Sequence, residues 1–348
     1  MRDPAPTRRL ALASLLLAAI APSLPAQSPP ATVAVQASPT TQLLVGLFPV
    51  SDRVVWASGA GGTYVLTTDG GEHWRAGVVP GAEALQFRDV HAVDSLTAWL
   101  LAIGFADSSR IYNTADGGRH WDVQFVNRDP RAFYDCFAFW DRRRAVVIGD
   151  AVDRRIPILL TGDGGAHWEM APLESRPAAD SAEGSPAASG TCVVARGRGD
   201  AWIGTMGGSQ GTRVLRTGDG GRTWRSSVTP VGGGAAGAAV ASLAFRDSRH
   251  GFAAGWDTRR VARTDDGGRT WVTVGEPAFA GGVYGLALVP GRAGALVAVG
   301  RSGASISWDE GATWQALDEG DSWSVAFADG RTGWMVGARG RIAKIALR

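Results

Sequence analysis

Two cysteines, five histidines and four tyrosines are the residues of this 348-residue chain best suited to redox, metal or nucleophilic chemistry. Their spacing narrows that chemistry. Cys136 and Cys192 form no Cys-x-x-Cys pair, and no dinucleotide-binding glycine loop accompanies them. Two cysteines cannot build a disulfide-dense scaffold, a zinc finger or a four-cysteine cluster. They occupy the same register in two similar segments, YDCFAF and SGTCVVA, which admits a structural disulfide, two buried thiols or a redox pair. His73, His120 and His167 recur inside one repeated box. That leaves His91 and His250, too few for a histidine-based metal site. No metal and no cofactor are expected.

The repeated box is the dominant signal. TTDGGEHW (67–74), TADGGRHW (114–121), TGDGGAHW (161–168), TGDGGRTW (217–224), TDDGGRTW (264–271) and SWDEGATW (307–314) nearly superpose. Their aspartates are Asp69, Asp116, Asp163, Asp219, Asp266 and Asp309, spaced by 47, 47, 56, 47 and 43 residues. Six copies argue for a structural role, because a catalytic acid is not needed six times. The carboxylate can accept hydrogen bonds from turn N–H groups and from the box hydroxyl. The glycines permit positive φ in a hairpin. The tryptophan can pack between neighbouring units.

An aromatic-to-glycine run lies upstream of four of the boxes, at 56–59, 99–104, 202–204 and 252–255, and a fifth follows the last box at 334–337. A shorter apolar run precedes the aromatic one, as in Ser242-Leu243-Ala244-Phe245. Each unit thus holds four short alternating β runs, and four strands per period near 47 match a propeller blade. The boxes resemble the Asp-box (BNR) repeat of sialidase-like and sortilin-like propellers. The wider unit over residues 40–347 resembles the Ycf48/Hcf136 group of photosystem II assembly factors and their relatives in non-photosynthetic bacteria. That resemblance implies an all-β propeller and a binding or assembly role.

Six boxes mark six blades. Residues 323–347 supply three more strands, and the alternating run TVAVQ at 32–36 can supply the fourth. The expected fold is all-β: a seven-bladed β-propeller of four-stranded blades, the seventh closed by strands from both chain ends. Six blades with a loose tail is the competing arrangement. Residues 27–348 are expected to form a single propeller domain.

Residues 1–26 read as an export signal, with Arg2, Arg8 and Arg9 ahead of an 11-residue apolar stretch at 10–20. That stretch is too short to span a bilayer. The protein is therefore expected to be periplasmic or secreted, with no membrane span after cleavage. Without this segment the formal charge falls from +2 to zero. Of the 35 basic residues only Lys344 is lysine, and the arginines are spread along the chain. Neither feature suits a nucleic-acid partner.

Function is expected where the repeat breaks. The third blade departs most, with Arg131, Tyr134 and Asp135 around its first strand and Asp150, Asp153, Arg154 and Arg155 after its second. An insertion rich in Ala, Ser, Pro and Gly follows at 172–190. These segments should share one rim, with Tyr134 and Asp135 near the channel mouth. Arg196 and Arg198 complete the candidate contacts. The reading is a monomeric, non-catalytic module that binds a protein or peptide in the cell envelope, with carbohydrate also possible. A sialidase-like glycoside hydrolase is the alternative. It would need an arginine triad and an activated tyrosine, and only Tyr134 stands near the expected channel, without an evident glutamate partner. An oxidoreductase has only the cysteine pair in its favour.

Overall fold

A computed structural model describes residue 1 and residues 31–180, 183–209, 211–232 and 238–348. The export signal expected over 1–26 lies, but for Met1, outside them. Among the described residues no helix is long and apolar enough to cross a membrane.

Seven four-stranded antiparallel sheets make up the fold. Their inner strands, numbered here as blades 1 to 7, are Leu44–Pro49, Gln86–Ala92, Tyr134–Phe139, Val193–Arg196, Val240–Phe245, Gly285–Leu288 and Ser322–Phe327. In blades 1 to 6 the remaining three strands follow outward in chain order. Blade 7 runs outward through Thr332–Gly337 and Ile342–Leu347 and closes on Ala31–Val35, with Ala31 opposite Leu347 and Val35 opposite Ala343. The chain is therefore the seven-bladed β-propeller expected, its ring shut by strands from both chain ends, which removes the free edge there.

Blades are held together by apolar layers between them. The second strand of blade 1, Val55–Gly59, is buried throughout, whereas its outermost strand, Arg75–Val78, is mostly exposed. Trp56, Tyr64 and Leu66 of blade 1 pack against Phe87, Val90 and Leu100 of blade 2. Similar clusters join the other neighbours. Directional bonds add registration. Trp99 donates its indole N–H to the Gly164 carbonyl of blade 3 at 3.0 Å, and Trp202 donates to Gly267 of blade 5 at 2.9 Å. Each acceptor lies in the repeated turn of the next blade.

Within that turn, Thr67 Oγ1 donates to Asp69 Oδ1, and the Gly71 N–H donates to Thr67 Oγ1. The His73 N–H closes the loop on Asp69 Oδ1 at 3.0 Å. Gly70 and Gly71 both carry positive φ, 79° and 86°, which a side chain would resist. The same hydroxyl–carboxylate bond recurs at Asp116, Asp163, Asp219, Asp266 and Asp309.

Candidate functional site

The rim of blade 3 begins with a tight hairpin. Val152 and Arg155 pair across Asp153 and Arg154, whose φ values are 51° and 60°. Two successive positive φ values are the pattern of a I′ turn, normally filled by Asn-Gly. Here the tip presents an acid and a base instead. The insertion packs directly onto this hairpin. Arg155 pairs with Ala178, the Ala179 N–H donates to the Arg154 carbonyl, and the Ala151 N–H donates to Glu183.

Beneath the hairpin lies a cavity of about 410 Å³ lined by Asp129, Arg131, Tyr134, Asp153, Arg155 and Arg176, with Met170 and Leu173 on its apolar side. Arg131 is fully engaged: it donates to Asp129 and to both carboxylate oxygens of Asp153 at 3.0 and 3.1 Å. Those two acids therefore already have a cation. Arg155 donates to the Arg176 carbonyl at 3.0 Å. The guanidinium groups of Arg155 and Arg176 meet no carboxylate within ion-pair distance among the described residues. Leu173 is 55% exposed and Met170 43%. The cavity thus offers two cations without a carboxylate partner among the described residues, beside a small apolar shelf.

Tyr134 lines this cavity with its ring packed edge-on against Phe125 at 5.6 Å. Burial first, and then the Asp129 charge, push its hydroxyl up to about 12. A phenol held there is a poor nucleophile at neutral pH.

The other candidate residues separate from this group. Asp135 turns away from Tyr134 toward the propeller axis and is 2% exposed. Burial, then the Asp150 carboxyl, raise its pKa well above the usual range, with Arg88 opposing. Asp150 accepts the Ser185 N–H of the insertion at 3.2 Å and sits behind Asp135. Arg154 faces Asp180 and Arg213 across a smaller hollow. Arg196 lies elsewhere: it ends its strand at the opposite mouth of the channel, lining a cavity of about 440 Å³ with His91, Phe139 and Phe327. Arg198 lies on that same side, in the cleft between the blade 3 and blade 4 turns. Position along the strand explains the separation, since Tyr134 and Asp135 begin their inner strand whereas Arg196 ends its own.

Cys136 and Cys192 are joined by a disulfide, with Cα atoms 6.1 Å apart. His91 stacks on Phe139 at 4.3 Å, and burial lowers its pKa to about 4, so it serves as a neutral packing group. Sequence reasoning passed over Met170, which ends the outermost strand of blade 3, and Arg176 and Leu173, which reach the cavity because the insertion folds back over that blade. It also passed over Glu183, 1% exposed at its side chain and paired with Arg213 at 2.7 Å, which fastens the insertion to blade 4.

No protein-family model matches the sequence, and no curated protein matches it. Solved structures with a similar fold include YCF48 from Cyanidioschyzon merolae, at 16% identity and TM-score 0.63, covering 90% of this chain and 99% of that chain. YCF48 bound to D1 peptide is similar at 16% identity and TM-score 0.63, covering 92% and 97%. The GH74 xyloglucanase from Xanthomonas campestris is similar at 16% identity and TM-score 0.61, covering 90% of this chain but 53% of that one. At such identities the likeness shows the β-propeller fold.

Proposed function

We propose that this propeller is an exported, non-catalytic module that binds a peptide segment of a partner protein at the rim of blade 3. The observation that carries the reading is the cavity under the Asp153–Arg154 hairpin, where Arg155 and Arg176 face a shelf of Met170 and Leu173. Guanidinium groups without a carboxylate partner grip carboxylates in bidentate fashion, and an adjacent apolar shelf buries a flanking side chain. The segment this chemistry selects carries Asp or Glu next to an apolar residue.

Three further points support it. A propeller of similar fold, YCF48, is known with a D1 peptide bound. The hydroxyl of Tyr134 is held far from the ionisation a glycosidase nucleophile needs, and the two nearby acids are held by Arg131. Export fits both the apolar start of the sequence and the disulfide, which persists in oxidising compartments.

The test is co-purification from the native envelope with wild type and with the Asp153→Ala/Arg155→Ala double variant. The expected result is a partner captured by wild type and lost by the variant. A variant that is folded and retains every partner would place the binding surface elsewhere.

A further inference from the structure

The inner strands share a device at their channel-mouth end. In five blades the pairing with the second strand slips by one residue, leaving Val45, Arg88, Asp135, Ala241 or Trp323 unpaired. Such bulges re-aim a side chain. By register, Thr191 and Tyr284 hold the same place in blades 4 and 6. After two of the bulges the next residue reaches the following blade: Asp89 accepts the Phe137 N–H at 3.0 Å, and Ser242 accepts the Leu286 N–H at 2.9 Å. The bulged residue itself turns to the axis. Arg88 of blade 2 demonstrates this, because its guanidinium lies 5.2 Å from the ring of Trp323 in blade 7, with blade 1 between them around the ring.

Of these positions Arg88, Tyr284 and Trp323 converge, whereas Thr191 bonds Ser242 of the next blade. Tyr284 and Trp323 meet at 4.9 Å, and Trp256 extends this aromatic wall 6.4 Å beyond Tyr284. Arg88 lies over the Trp323 face of this wall, held by a 2.9 Å bond to the Ala187 carbonyl of the insertion. Arg88 Nε, Trp323 Nε1 and Asp135 Oδ2 are buried without a hydrogen-bond partner among the described residues. Nor does any described carboxylate form an ion pair with Arg88. Burial first, then Asp150, raise the Asp135 pKa, with Arg88 opposing; burial lowers the Arg88 pKa, with Asp135 and Tyr284 opposing. Unmet buried donors, one of them on a cation without an ion-pair partner, are costly to keep unless something fills them.

We propose that this axial mouth binds a small carboxylate carried on a ring. Its carboxylate accepts from the Arg88 guanidinium and the Trp323 indole N–H, and its ring lies along Tyr284 and Trp256. The site is distinct from the blade 3 rim and stands whether or not that rim binds a peptide.

An aromatic acid and a sugar acid share this chemistry, and calorimetric titration separates them. The probes are benzoate and D-glucuronate, each with a neutral counterpart, benzamide and glucose. One of the two acids is expected to bind, with its neutral counterpart weaker by about tenfold or more. Trp323→Phe keeps the ring but deletes the donor and should weaken binding about tenfold. Arg88→Gln should abolish it, and Arg131→Ala at the rim should leave it unchanged. The proposal is overturned if neither acid binds at millimolar concentration, or if acid and neutral probe bind equally. It also falls if Trp323→Phe binds with wild-type affinity, a result that stands even where Arg88→Gln fails to fold.

Discussion

Cys136 and Cys192 link the inner strands of blades 3 and 4, the two blades that the insertion at 172–190 separates in sequence. They occupy the register place at which Asp89 and Ser242 tie their own blades to the next by hydrogen bonds. The covalent bond thus replaces, at the junction that carries this insertion, a contact that the blade 2–3 and blade 5–6 junctions make with polar groups.

That junction should be the first to weaken. The disulfide closes a loop across a sequence separation of 56. Reduction, or Cys136→Ser with Cys192→Ser, should cost about 2–4 kcal/mol. Thermal unfolding with and without reductant measures it. An unchanged midpoint would mean that the insertion and its Glu183–Arg213 pair hold the junction alone.

The indole bonds between blades can be weighed separately from their packing. Trp202 stacks on Phe245 at 3.8 Å and donates to Gly267. Trp202→Phe keeps most of the stack but strands the Gly267 carbonyl, at a cost of about 1–3 kcal/mol. Trp202→Ala loses both, at about 3–5 kcal/mol. Denaturant titration of the two variants should show the gap, and equal losses would leave the bond with no measurable share.

The acids of this fold pull stability in opposite directions with pH. Partial burial works against ionisation of Asp219 and Asp266, but turn and threonine hydrogen bonds outweigh it and hold both at about 2. Their contribution is complete above the unfolded value of about 4 and is lost as pH falls through about 2. Asp135 has the reverse sign. Its folded state keeps a proton that the unfolded chain releases near pH 4, so its contribution declines as pH rises above that. Asp135→Asn should therefore raise the unfolding midpoint at about pH 8 and change it little at about pH 4. Asp266→Asn should lower it at neutral pH. A midpoint for Asp135→Asn that falls at the higher pH would show that the folded state holds Asp135 ionised.

What was legible in the sequence was local. The Thr67–Asp69–Gly71 turn closes within four residues, so its chemistry is written in an eight-residue box. Blade count and ring closure follow from repeating that box and from one alternating run at the start. Side-chain direction at the inner strand was not legible. Strict alternation sets Tyr134 and Asp135 on opposite faces, but it also sets Tyr134 and Phe137 apart. The bulge instead places Tyr134 and Phe137 in one cluster and frees Asp135 to face the axis. A one-residue slip leaves no compositional trace. The burial of the insertion was not legible either. Its Ala, Ser, Pro and Gly content marks a loop, and residues 183–186 and 188–190 of it are buried. Small residues are what that narrow space admits: a side chain at Gly190, where φ is +74°, would meet Asp89 Oδ1 at 2.6 Å.

The central claim is that Arg155 and Arg176 read an acidic residue beside an apolar one. Fluorescence anisotropy with a labelled Asp-Leu-containing peptide, and with its Asn-Leu counterpart, tests it most directly. Wild type should bind the acidic peptide, and Arg155→Ala/Arg176→Ala should bind it about tenfold or more weakly, while Arg196→Ala is unaffected. Equal binding of the two peptides, or full affinity in the folded double variant, would contradict the claim.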